Sequence, residues 1–511
     1  MFDSLVSTAD AHPESPFRLI KPQNNRPVVL PPNTTEPAFQ AALEDLRGEI
    51  GAEWVKVNDI DLVDGDYHAV PLSHDSYHIL EQDDLVPSAV CWPENTEGVS
   101  RVVKWANKHS VPIWPISIGR NLGYGGSAPR VRGSVIVDLG RRMNRVLDVS
   151  EKNATCLIEP GVQYLSLYEH LQKTGLGDRL WIDVPDLPGG SVMGNALDRG
   201  VGYTPHGGIR PFMATFPKEE DLATAVDALR PLMLQKVIGN VPCLRLGLQD
   251  ATMYHKKTEF PLRERGLVDR KKSQKIIDNL GTGAWVFYAA LYGPDEITQP
   301  KFDLIKKSLS VVPGAKFYER KDVSPESYLH DYAKFTAGIP TWRELDRMEY
   351  IPNASHLFFA PISAIDGEDA VRQAKMCRER MEEYGFDYLG TFFIGHREMH
   401  HVISFMYDKT DLDMKRRALA CIRALIDDAA MIGVGEYRTH LALQDQVAGT
   451  YNWNDNAVMR LNEKLKDAMD PNGILQPGRS GIWPKVYRGQ GWELRGEEKV
   501  SDPKKREMDV L

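Results

Sequence analysis

Four glycines crowd into residues 115–126, which read Pro115-Ile116-Ser117-Ile118-Gly119-Arg120-Asn121-Leu122-Gly123-Tyr124-Gly125-Gly126. Gly119, Gly123, Gly125 and Gly126 remove Cβ atoms and permit positive φ, so successive N–H groups can converge into an anion-binding nest suited to a pyrophosphate. The loop lies between the apolar runs 111–114 and 134–139, without the strand, GxGxxG and helix order of a nicotinamide-binding fold and without GxxxxGK[ST]. On pattern alone an ordinary turn is the plain reading, and a phosphate cradle here would have to be of another design. The other chemistry-bearing residues have plain readings on pattern alone. His74 and His78 are four apart but have no carboxylate or cysteine cluster around them, so no metal site is expected. Asp186, in Val184-Pro185-Asp186-Leu187-Pro188-Gly189-Gly190, has the sequence of a turn former. His356, followed by Leu357, Phe358 and Phe359, reads as a core histidine on a buried strand, and Tyr437 and Arg438 read as loop residues.

The elements that must position these residues follow from periodicity. A short strand at 88–92 precedes a helix over 96–110, with Val99, Val102, Val103 and Ala106 on one face, and a strand at 111–116 completes a βαβ unit. Strands at 134–139 and 154–159 and a helix at 164–172 lead into the glycine-rich stretch 186–208. From about 209 the texture changes. Helices at 218–234, 368–384 and 415–431 and strands at 284–291, 315–318, 356–362, 386–393 and 400–406 suggest an antiparallel sheet backed by helices. The expected fold class is α+β, with residues 1–207 a cofactor domain, 208–433 a cap over it, and 434–511 returning to the first domain.

The chain has 511 residues, 42% of them hydrophobic and 26% charged, with a net charge of −9. That is the balance of a globular protein with more than one core, and the negative charge argues against a nucleic-acid partner. No apolar run approaches the ~18 residues of a membrane span. Residues 1–27 have no basic start followed by an apolar region, and the C-terminus is not Ser-Lys-Leu. A cytoplasmic location is expected, with the peroxisome as the alternative. The five cysteines are scattered, favouring reduced thiols over disulfides or zinc.

The stretches "PISIGRNLGYGGSAPRVRGSVIVDLG", "WIDVPDLPGGSVMGNALDRGVGYTP", "SHLFFAPIS", "REMHH", "GEYRTHLALQDQ" and "DPNGILQPGRSGIWP" resemble, in order and over most of the chain, the vanillyl-alcohol oxidase and 4-cresol dehydrogenase family, whose members hold FAD and oxidise para-substituted phenols. The resemblance implies a two-subdomain FAD-binding domain, a cap domain and a homo-oligomer. It places Pro115, Ser117, Ile118, Gly119, Arg120, Asn121, Leu122 and Gly123 around the FAD pyrophosphate, and has Ser191 and Asn195 face the flavin. Arg479 stands near the ring in place of a family lysine. Tyr124, Tyr437 and Arg438 match a phenolate-binding trio; an adjacent cation lowers a phenol pKa of about 10 by about 1–3 units. Asp186 matches the acid beside flavin N5, a base for water adding to a quinone methide. Asp183 is set aside because the family residue follows Pro. His356 matches the histidine linked covalently to the flavin 8α carbon, and His78 would sit beside that histidine and activate it. Tyr203, His400 and His401 would lie near the substrate pocket.

The implied activity is oxidation of 4-hydroxybenzyl alcohols, 4-alkylphenols or allylphenols by hydride transfer to flavin N5, with oxygen reoxidising the flavin to give peroxide. A dehydrogenase with another acceptor is the alternative within the class. One departure from the family pattern bears on both. Gly202-Tyr203-Thr204-Pro205-His206-Gly207-Gly208 runs almost directly into Ile209-Arg210-Pro211-Phe212, where the family has further strands of the flavin domain. The second FAD subdomain is therefore expected to be shortened, and an inactive homologue is a third possibility.

Overall fold

The computed structural model describes residues 27–59, 74–80, 85–200, 202–204 and 209–495. The N-terminal stretch 1–26, the junction residues 205–208 and the charged end 496–511 lie outside the described residues. The chain forms two compact units: 1–144, 409–415 and 440–495 make the first, and 145–408, 416–439 and 496–511 the second.

The first unit is built on a four-stranded sheet of β1 (Val55–Val57), β2 (Ala89–Cys91), β3 (Ile113–Ile116) and β4 (Val135–Asp138), in the order β1-β2-β4-β3. β2 and β3 both run parallel to β4. Between β2 and β3 the chain crosses over as the helix Thr96–His109, whose N-terminus is capped by Asn95 accepting from Gly98 N at 3.0 Å, an interaction worth about 1 kcal/mol. Its Val102, Trp105 and Ala106 enter a core with Phe39, Leu43 and Leu46 of the helix Glu36–Ile50. Parallel neighbours require a crossover of a dozen or more residues. Between β3 and β4 that crossover is the glycine loop itself. The C-terminal motif returns to this sheet: Ile113 N donates to Ile474 O at 2.7 Å and Gln476 N to Ile113 O at 2.9 Å.

The second unit holds a two-stranded sheet of β5 (Val146–Ser150) and β6 (Thr155–Ile158) and a nine-stranded antiparallel sheet. The large sheet comprises β7 (Ile209–Phe216), β8 (Cys243–Leu246), β9 (Trp285–Tyr292), β10 (Lys316–Glu319), β11 (Ala354–Phe359), β12 (Pro361–Ala364), β13 (Gly390–Ile394), β14 (Glu398–Asp408) and β15 (Gly435–Glu436). Its order is β10-β7-β9-β8-β13-β14-β12-β15, with β11 paired to β14 beside that path. Side chains alternate between faces, so register decides what each face carries. Phe212, Phe287, Leu244 and Phe392 share one face, which takes up Phe302 of the helix Asp295–Leu309 at 5.1 Å from Phe212. Tyr288, Cys243, Arg245, Phe393, His400, Ser404 and His356 fall on the opposite face.

Residues 145–204 cluster with the second unit. The cause is packing: Tyr164, Val184 and Tyr203 join Met213, Tyr288, Tyr328, Tyr332 and Phe335 in one aromatic core. Among the described residues β5 and β6 pair only with each other, and Leu147 and Leu157 stand 49% and 60% exposed. Leu197, on the short helix Val192–Leu197, is 75% exposed. Among the described residues no helix is long and apolar enough to cross a membrane, and no group of three or more His, Cys, Asp or Glu could hold a metal ion.

Candidate active site

In the first unit the cradle has the backbone its glycines allow. Gly119, Gly123, Gly125 and Gly126 take φ of 69°, 78°, 108° and 55°, conformations costly for L side chains. A Cβ on Gly125 would lie 2.4 Å from Leu441 Cγ, and one on Gly126 would lie 2.8 Å from His74 O. Tyr124 N and Gly126 N both donate to Asn121 O at 3.1 Å, which closes the loop on itself. Among the described residues the N–H groups of Gly119, Arg120, Leu122 and Gly123 donate to no other main-chain carbonyl. That leaves them available to a phosphate, so this part of the chain fits the pyrophosphate of FAD. Gln476 Nε2 donates to Pro115 O at 2.7 Å, which docks the loop bearing Arg479 onto β3.

The histidine pair lies against the same loop. Ser127 Oγ donates to His74 O at 3.2 Å. Asp75 is buried and engaged by His440 Nε2 at 2.7 Å and by Tyr77 N at 3.0 Å. Burial brings His78 down to about 3, so it is a neutral imidazole at physiological pH. The Asp75–His440 pair had no signal in the sequence, because its members are separated by most of the chain.

The second unit gathers the remaining candidates. Asp186 is 1% exposed. Thr341 Oγ1 hydrogen-bonds its Oδ1, and Glu344 N donates to Oδ2 at 2.6 Å. Burial, reinforced by the charge of Glu344, raises its carboxyl to about 8. Glu344 sits in the first turn of the 3-10 helix Arg343–Glu349, which lies along the second face of the sheet, and Arg347 Nη1 donates to Ser404 Oγ at 3.2 Å. Beneath Glu344 lies Arg245, also 1% exposed. Its guanidinium donates to Asp250 Oδ1 at 2.9 Å, Tyr328 OH at 3.2 Å and Glu344 Oε1 at 3.4 Å, and Tyr288 OH donates to Asp250 Oδ2. Sequence reading missed this network. Its one trace is an arginine inside the otherwise apolar run Cys243-Leu244-Arg245-Leu246.

His356 is buried on β11, with Nδ1 at 3.2 Å from Met348 Sδ. The tautomer with its proton on Nδ1 puts the nucleophilic lone pair on Nε2. Tyr437 follows β15, and its ring meets His400 edge-on at 4.7 Å. Burial raises the Tyr437 phenol, partly offset by Arg438. Tyr203 packs against Phe335 and Phe393 at 4.7 and 5.9 Å. One sheet face thus links Asp186 through Glu344 and Arg245, Tyr437 through His400, Tyr203 through Phe393, and His356 directly. His401 does not share it. Neighbours on a strand point to opposite faces, and His401 stacks on Phe392 at 4.1 Å with Nε2 2.7 Å from Tyr388 OH.

Two candidates have structural duties that the motif did not foretell. Ser191 caps the helix Val192–Leu197, accepting from Gly194 N at 3.0 Å and donating to Pro160 O at 2.7 Å. Asn195 Nδ2 donates to Tyr164 OH at 3.0 Å. Asp183 accepts from Thr204 N at 2.8 Å and fixes a turn.

Comparison with known proteins places this arrangement. Residues 87–208 match the model of an FAD binding domain, and residues 341–480 that of the FAD linked oxidases' C-terminal domain. The flavoprotein subunit of 4-cresol dehydrogenase [hydroxylating] from Pseudomonas putida is 30% identical over 90% of this chain and 98% of its own length. This chain belongs to the vanillyl-alcohol oxidase and p-cresol methylhydroxylase family of FAD-linked oxidoreductases. The alignment spans 527 positions, more than the 511 residues of the whole chain. The relative therefore carries residues with no counterpart here. Among solved structures, 4-ethylphenol oxidase from Gulosibacter chungangensis, in complex with isoeugenol, superposes with a TM-score of 0.85 at 33% identity, covering 90% of this chain and all of that one. A substrate-bound p-cresol methylhydroxylase gives 0.82 at 28% identity over 89% of this chain and 99% of its own.

Proposed function

We propose that the chain is an FAD-dependent oxidase of para-substituted phenols: 4-hydroxybenzyl alcohols, 4-alkylphenols and allylphenols. The observation that carries this reading is that Asp186, Tyr437 and His356 all attach to one face of one sheet. Arg438 and Tyr437 bind the phenol oxygen. The Arg438 cation favours the phenolate, and Tyr437, whose own proton is held more tightly by burial, serves as donor. Tyr124 joins them on motif resemblance. Electron density from the phenolate oxygen promotes hydride loss at the para carbon and yields a quinone methide. Asp186 takes the proton of the water that adds to that carbon. Bound FAD supplies the hydride acceptor at N5. Residues 115–123 hold its pyrophosphate, Arg479 supplies a charge near the ring, and Ser191 and Asn195 frame it. His356 Nε2 is the proposed covalent tether, with neutral His78 as the base that activates it. Oxygen as acceptor and a homo-oligomer complete the proposal.

Anaerobic mixing with 4-ethylphenol should bleach the flavin absorbance, and admitting air should restore it with release of peroxide. A Tyr437→Phe, Arg438→Leu double variant that bleaches at the original rate would refute the phenolate site. Bleaching without peroxide on aeration would favour a dehydrogenase. A second reading, a flavin-deficient and inert homologue, is favoured by the exposed β5–β6 pair. It predicts a protein that stays colourless after incubation with FAD.

A further inference from the structure

The clamp on Asp186 is made by a single short stretch, Thr341 to Glu344, and the same stretch brings charge to it. Glu344 Oε1 lies 3.4 Å from Arg245 Nη2 and 3.9 Å from Arg347 Nη2. Arg245 is also paired with Asp250 at 2.9 Å. Arg343, inside the clamp, is taken up by Asp346 at 2.5 Å and Asp331 at 3.5 Å and lies over the Tyr254 ring; the remaining charged groups around the clamp are two guanidiniums, Arg245 and Arg347, and three carboxyls, Asp186, Glu344 and Asp250, together with the phenols of Tyr203, Tyr328 and Tyr288. Two cations cannot neutralise three carboxylates, and because Asp186 and Asp250 are each 1% exposed while Glu344 is only half-buried, an uncompensated charge at this place is costly enough that one carboxyl keeps its proton instead. Glu344 and Asp250 each touch a guanidinium. Asp186 touches neither; its partners are a hydroxyl and a main-chain N–H.

We propose that Glu344 is a positioning residue which, by its charge, keeps one proton on Asp186 in the resting enzyme and so sets the pH at which Asp186 becomes a base. The proton lies on Oδ1. Glu344 N–H can only donate, so Oδ2 must be the carbonyl oxygen, and the Thr341 hydroxyl turns to accept from Oδ1. Deprotonation releases that proton to solvent, and Glu344, at 22% side-chain exposure, is the outermost carboxyl of the three. No redox change is involved. The inference deepens the role of Asp186 as base and rests on that reading for its kinetic arm alone.

The test uses the full-length protein. An infrared titration should show the carbonyl band of a protonated carboxylic acid at neutral pH, absent in Asp186→Asn. Glu344→Gln retains the main-chain N–H that holds Asp186 and removes only the charge, leaving two cations and two carboxylates. The band should then titrate about 1–2 pH units lower, and the acid limb of the pH–rate profile on 4-ethylphenol should move down with it. Glu344→Asp should restore both, and Arg347→Gln should move both upward. A band and a limb unmoved in Glu344→Gln overturn the inference. If Glu344→Gln does not fold, an unmoved band in Arg347→Gln overturns it instead. An Asp186→Asn enzyme with the unaltered rate and limb would sink the reading of Asp186 as base while leaving the infrared result standing.

Discussion

Replacing Gly125 by alanine tests the cradle through two separable penalties. At φ 108° an L residue is strained, costing about 1–3 kcal/mol. The new Cβ would also lie 2.4 Å from Leu441 Cγ and 2.5 Å from Cδ1. Leu441 cannot step aside at no cost, because it is 1% exposed in a cluster with Val90, Trp92, Trp114, Ala128 and Ile136. Overpacking of such a site costs about 1–3 kcal/mol, so the total is about 2–6 kcal/mol. Gly489→Ala supplies the control. It has φ 71° with nothing within 4 Å of the added Cβ, so it carries the backbone penalty alone, about 1–2 kcal/mol. Urea titration followed by tryptophan fluorescence, reading the shift in midpoint with the slope unchanged, compares the two. Gly125→Ala should be the more damaging by at least about 1 kcal/mol, and it should load less FAD. Equal midpoints would refute the claim that close approach, rather than φ alone, requires glycine at this position.

Three further outcomes are expected. A carboxyl raised in the folded state keeps its proton to about pH 8 at Asp186, whereas the unfolded chain releases it near pH 4. The folded state thus binds more protons across that window, and its contribution from this residue falls as pH rises from about 4 to 8. Asp186→Asn should flatten that part of the stability–pH curve, measured by thermal melting. Arg245→Leu leaves Asp250 buried beside Tyr288 without its cation and should cost about 3–5 kcal/mol in the same assay. Of the five cysteines only Cys156, on β6, is exposed, so a thiol reagent should label one thiol per native chain and five in denaturant; rapid labelling of more than one would contradict the packing of Cys91, Cys243, Cys377 and Cys421.

What the sequence revealed was local. The helix Thr96–His109, its flanking strands and the cradle were legible because period 3.6, short apolar runs and clustered glycines are signals within one stretch of chain. The alternation on β14 was legible too, and read strictly it would have put His400 and His401 on opposite faces. The Asp186 network was not legible. Arg245, Asp250, Thr341 and Glu344 meet only because β8 and the 3-10 turn Arg343–Glu349 are folded against the same loop. Nor did length and composition mark the division at residue 144, since the stretch 145–204 is drawn to the second unit by the aromatic packing of Tyr164 and Tyr203. The abrupt passage from Thr204 to β7 was readable as a shortening. That β5 and β6 form a pair of their own among the described residues, with Leu147 and Leu157 in solvent, needed the sheet order.

The proposed site requires that this chain tethers a flavin. Protein purified after incubation with FAD, precipitated in acid and washed, should give a yellow pellet whose spectrum is that of bound flavin, and His356→Ala should leave the colour in the supernatant. A colourless pellet from the unaltered chain, with all flavin in the supernatant, would contradict it.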